Sequence, residues 1–235
     1  YGNETYNFDL DINNDGIFDS LGLTNGTFIR FPYPDTFTLR IRGQFPRFNF
    51  VNYDGEKLIS IDQWGTQAWT SMYRGFYYCE NLVSLPSDTP NLSLVTDMSS
   101  MFFHAESIVS GIAHWDVSNV TSMHRMFEGA LLFNDSIGDW NVSNVQTTLG
   151  MFCSAEKFDQ PLNNWDVSSD TNMYRMFEDC HEFNQDLDNW DVSSVTNMEF
   201  MFKSALKFNG NVSTWNTSSV KNIGYLFQSA GLFNR

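Results

Sequence analysis

The run Asp11-Ile12-Asn13-Asn14-Asp15-Gly16-Ile17-Phe18-Asp19 has the residue types and spacing that point most directly to chemistry. It follows the pattern D-x-[DN]-x-[DN]-G-x-x-D. Side-chain oxygens come from Asp11, Asn13, Asp15 and Asp19, a backbone carbonyl from Ile17, and Gly16 allows the sharp turn. An oxygen-only donor set of this kind suits calcium. Gly22 stands where an EF-hand has its bidentate Glu, and Asp9 lies just upstream as a substitute. Asn-Asp-Gly is also good hairpin chemistry, so a solvated turn is the alternative.

Other chemistry is sparse. His104, His114, His124 and His181 fall at unrelated positions and have no ligand spacing. Cys79 and Cys180 share a column of small residues and read as buried small hydrophobes, with a Cys153–Cys180 bridge as an alternative for that pair. No phosphate loop, nucleophile elbow or zinc motif is present, and no enzyme activity is expected.

The elements that position these residues are set by repetition. Trp115, Trp140, Trp165, Trp190 and Trp215 recur every 25 residues. Phe102, Phe127, Phe152, Phe177, Phe202 and Phe227 form a second column, and Phe133, Phe158, Phe183, Phe208 and Phe233 a third. Ala105, Ala130, Ala155, Cys180, Ala205 and Ala230 form the small column, and Cys79 joins it if one extra residue is allowed. One such unit cannot bury its apolar face alone, whereas stacked units share one core.

Within a unit, Val195, Met198, Met201, Phe202 and Ala205 have helical spacing, and Thr196 with Glu199 fits a capping box. Leu187 to Val192 reads as a short extended segment. The expected fold is therefore an α/β repeat, a leucine-rich-repeat-like solenoid of strand-turn-helix coils over 58–235, preceded by an N-terminal β cap over 1–57. In that cap, Tyr6 to Leu10, Thr36 to Gly43 (with Phe37, Leu39 and Ile41 on one face) and Phe45 to Val51 read as strands. The Asp/Asn column Asp116, Asn141, Asp166, Asp191 and Asn216, with a Ser two residues on, reads as turn chemistry rather than catalysis.

The unit Phe-Asn-x-x-Ile/Leu-x-x-Trp-Asp/Asn-Val-Ser-x-Val-Thr-x-Met-x-x-Met-Phe-x-x-Ala resembles the BspA-like leucine-rich-repeat family of bacterial surface proteins, over about residues 58–235. The resemblance implies a non-enzymatic extracellular or cell-surface module for adhesion or interaction. Thr148, Ile223, Leu226, Asp170 and Thr217 depart from the motif.

Composition bounds the partners. The 235 residues carry 28 acidic and 13 basic side chains, net −15, which excludes nucleic acid as a partner. Aromatic content of 16% is too high for a disordered acidic tail. No apolar run spans a membrane. The start at Tyr1-Gly2-Asn3-Glu4 reads as a mature product or an excised piece. The expected partners are a protein or glycan on a surface, or copies of the chain itself. The stop at Phe233-Asn234-Arg235, partway through a repeat, motivates the alternative of a filament or sheath subunit stacking head to tail.

Overall fold

A computed structural model describes residues 5–25, 36, 38–48 and 54–234. Its amino-terminal part is a small antiparallel sheet, β1 (Asn7–Asp11), β2 (Ser20–Leu23) and β3 (Arg40–Gln44), in the order β2-β1-β3. Leu10 pairs with Ile41 across β1 and β3. The expected runs Tyr6 to Leu10 and Thr36 to Gly43 thus overlap β1 and β3, each strand ending one residue later and β3 beginning only at Arg40, while β2 lacks the alternation that would have marked it. Residues 45–48 are not a strand, and Phe37 and 49–51 lie outside the described residues.

From residue 58 onward the chain is a stack of coils, but not the expected solenoid of strand-turn-helix units. Among the described residues there is no α-helix; the helical structure is one 3-10 turn at Asp54–Lys57. The segment assigned to a helix is a ribbon of tight turns. Its amides alternate in direction. Ser100, Phe102 and His104 N–H donate to the carbonyls of His124, Met126 and Glu128 in the next coil. Met101, Phe103 and Ala105 N–H donate three residues back within their own coil. An α-helix would use all of these amides internally.

Two positions per coil are held left-handed, four residues apart: Arg74 and Tyr78, Ser100 and His104, Arg125 and Gly129, Gly150 and Ser154, and so on to Tyr225 and Ser229. Only Gly129 and Gly150 among them are glycine. A left-handed L-residue costs roughly 1–2 kcal/mol. A fully buried Phe or Met side chain offsets it with roughly 1.5–3 kcal/mol, and each interior coil buries several.

The expected extended segment, Leu187 to Val192, is not a strand; single parallel bridges fall instead at Asp97–Ser122–Thr147 and Asn172–Asn197–Asn222, within the run expected to be helical. Thr196 does not make the expected capping box. Its hydroxyl donates to the Thr171 carbonyl one coil back, and Asn197 Oδ1 accepts the Glu199 amide.

The interior is a pair of aromatic columns. Phe102, Phe127, Phe152, Phe177, Phe202 and Phe227 stack with centroids 5.5–5.7 Å apart. Phe133, Phe158, Phe183, Phe208 and Phe233 stack at 5.8–6.0 Å. Each indole from Trp140 onward donates its Nε1 hydrogen to a carbonyl of the preceding coil, Trp165 to Ile137 at 3.0 Å for example. At the amino end Phe48 stacks on Trp69 at 5.1 Å, and Phe45 joins Phe8 to Trp69, so aromatic rings link the sheet to the first coil.

Candidate binding face

The polar columns hold coils together. Asn134, Asp159, Asn184 and Asn209 each accept, through Oδ1, the amide of the residue one repeat later. This ladder is the Asn of the Phe-Asn pair in the motif, whose repetition in the sequence marks it without showing its partner. Asp116, Asn141, Asp166, Asp191 and Asn216 accept the Ser amide two residues on, closing Asx turns. Those bonds hold the Asp116 and Asp191 carboxyls below the usual carboxylate range, the Ser hydroxyl and amide together outweighing partial desolvation. The concavities on this edge are open and lined by amide and carboxylate side chains such as Asn163, Asn189 and Asp191.

Asp11 ends β1, and Asn13, Asp15, Ile17 and Asp19 fall in the connection from β1 to β2, which is a hairpin. Asp11 is fully buried and accepts the Asn13 and Gly16 amides at 3.2 and 3.0 Å. Burial pushes its carboxyl up, but the loop amides outweigh this and hold it below its ordinary value. Asn13 Oδ1 accepts the Asp15 amide, Asp15 Oδ1 the Ile17 amide and Asp19 Oδ2 the Ile12 amide. The donor set is hard oxygen throughout, as calcium requires. Among the described residues, however, no three His, Cys, Asp or Glu side chains stand close enough to hold a metal ion. Calcium would therefore have to draw Asp11, Asp15 and Asp19 together. Asp9 is not a spare ligand, since it is held by the Gly22 amide at 2.8 Å and by Arg42 at 2.9 Å. The three cysteines are free and buried, and Cys180 Sγ donates to the Phe152 carbonyl at 2.8 Å.

One pair breaks the apolar interior. Asp170 takes a Val position and Thr148 a Met position, and both are buried. Thr148 Oγ1 donates to Asp170 Oδ2 at 2.6 Å, and the Asn172 amide donates to Oδ1 at 2.9 Å. The Thr148 amide also faces this carboxylate. Met98, Met123, Met173 and Met198, at the equivalent position, donate to the next coil instead, and among the described residues Thr148 is where that rung is missing. Burial pushes the Asp170 carboxyl up to about 6 despite these bonds.

The turn ribbon carries side chains that vary between coils more than the interior columns do, some exposed and some buried, with Arg recurring at Arg74, Arg125 and Arg175 and Glu at Glu128 and Glu178. Read coil by coil they are Tyr73, Arg74, Tyr77 and Tyr78; Ser99, Ser100, Phe103 and His104; His124, Arg125 and Glu128; Leu149, Gly150, Cys153 and Ser154; then Tyr174, Arg175 and Glu178, and Phe200 and Lys203. The ribbon backbone is the same in every coil while these side chains change. Arg125 pairs with Glu128 at 3.2 Å, and Glu178, itself buried, pairs with Arg175 and with Lys203. At the amino end Tyr77 stacks on Phe103 at 4.9 Å and Tyr78 on His104 at 5.2 Å. The Arg74 guanidinium lies over Tyr77 at 4.9 Å and over Tyr73 at 5.3 Å.

A constant interior beneath a variable outer face defines a tandem-repeat protein of stacked coils. The chain belongs to the family described as Mycoplasma protein of unknown function, DUF285, which matches residues 49–146, 70–187 and 161–235. No curated protein and no solved structure gives a significant match. Among the described residues no helix is long and apolar enough to cross a membrane.

Proposed function

We propose that the chain is a non-enzymatic binding or adhesion module, extracellular or at a cell surface, of the BspA-like kind. It engages a protein or glycan through the turn ribbon. The observation that carries this reading is the contrast between columns. Interior positions repeat because stacking demands it, while the ribbon varies more, through Tyr73, Ser99, His124, Leu149, Tyr174 and Glu199 at one phase and Tyr77, Phe103, Glu128, Cys153, Glu178 and Lys203 at another. Tyr and Arg are the residue types that dominate interface energetics. The Asp and Asn columns are engaged with backbone amides, which supports structural rather than catalytic use. Calcium at the β1–β2 hairpin is a separate proposal that rests on the donor set of Asp11, Asn13, Asp15, Ile17 and Asp19.

The test is to probe the labelled chain against a glycan array and a phage-displayed peptide library, beside a variant with Arg74, Tyr77, Tyr174 and Phe200 all changed to Ser. The expected result is retention on at least one array, lost in the variant. Retention on neither, or retention that the variant keeps, would overturn the reading.

A further inference from the structure

We propose that Arg74, with Tyr77, Tyr78, Phe103 and His104, is the docking point for a partner polypeptide that presents a carboxylate beside an apolar side chain. This rests on the binding reading above and names the partner chemistry and the coil that meets it.

Charge complementarity selects the partner. Along the turn ribbon Arg125, Arg175, Lys203 and Lys207 each pair with a carboxylate of this chain. Arg74 is exposed and among the described residues forms no ion pair. Its guanidinium is instead held over Tyr77 and Tyr73. A guanidinium flattened on rings keeps its planar fork of N–H donors, which matches a carboxylate in two-point fashion. The surrounding rings supply apolar area that is already ordered, so little side-chain freedom is lost on binding.

The ring geometry favours a polypeptide over a sugar. A sugar stacks on an open aromatic face, and these faces are occupied. Tyr77 has Phe103 stacked against it and Arg74 above it. His104 lies between Tyr78 and Gly129, so close to the latter that a Cβ there would stand 2.7 Å from Nδ1. Tyr77 and Tyr78 are half-buried, and Phe103 lies almost wholly beneath them. What remains on offer is an unpaired cation beside ordered aromatic side chains, the composition of a protein hot spot.

The experiment pans a phage-displayed library of random dodecapeptides on the immobilised chain and probes the chain on a glycan array in parallel. Enriched peptides should carry Asp or Glu next to an apolar residue. As synthetic peptides they should lose at least about tenfold in affinity when that acid is changed to its amide, or when Arg74→Gln is made in the chain, with Arg74→Lys recovering only part. Unchanged tryptophan fluorescence and melting of Arg74→Gln establish that its fold is intact. Enriched peptides that lack a carboxylate, affinity unmoved by Arg74→Gln, or glycan binding lost on Arg74→Gln would each overturn the proposal. Peptide binding lost on Phe200→Ser but kept by Arg74→Gln would overturn this docking point and leave the binding face standing. Retention on neither array would overturn both.

Discussion

Replacing Thr148 by Met and Asp170 by Val together restores the residues that most coils carry at these positions, and it should stabilise the chain increasingly as pH rises. The ordinary carboxyl value is 3.8, and burial raises Asp170 to about 6 in the folded chain. A folded-state value above the unfolded one means that the folded form holds the proton more tightly. The stability it confers is complete below 3.8 and is lost as pH rises through about 6. At about 1.4 kcal/mol per pH unit, the loss is roughly 3 kcal/mol. The apolar pair has no such titration. It also frees the amide at 148 to form the rung that Met123 and Met173 make in their own coils. The assay is urea unfolding followed by tryptophan fluorescence, on wild type and double variant, from pH 4 to 7.5. The gap in favour of the variant should widen by roughly 2.5 kcal/mol across that range, since a little of the loss is already complete at pH 4. Other carboxylates titrate in both proteins and cancel. Asp170→Asn alone should remove the pH slope while leaving the rung missing. A gap that stays flat with pH, or that narrows, would refute the reasoning.

Three further outcomes are expected. Gly210→Ala should destabilise by more than about 2 kcal/mol in the same urea assay, because its Cβ would stand 2.0 Å from the Gln185 carbonyl oxygen, a backbone atom that only coil separation can move. Ser204→Gly should instead stabilise by roughly 0.5–1 kcal/mol, since Ser204 sits at φ 57° and glycine adopts that conformation without strain. Calcium should raise the melting temperature relative to chelator, and Asp15→Ala should abolish the rise, because a cation bound only by the folded hairpin stabilises it by mass action; identical curves would count against the calcium proposal.

The 25-residue period by itself determined the register of the stack, the two Phe columns, the Trp column and the Asx turns, because residues in one phase must meet their own copies when units stack. The calcium-type spacing likewise located one loop, and the three-dimensional structure added that its carboxylates accept the loop's own amides. Val195, Met198, Met201, Phe202 and Ala205 could not distinguish a helix from a ribbon of turns. Both place those side chains inward, and they differ only in where alternate N–H groups point, which is fixed by carbonyls in the next coil. The same limit hid the Thr148–Asp170 bond. In the sequence it is two unrelated departures from a motif; in the stack it is one donor and one acceptor 2.6 Å apart. Arg74, Tyr77 and Phe103 became neighbours for that reason too. The sequence fixes which residue each coil carries at a given phase, whereas only stacking one coil on the next decides which side chains share a surface.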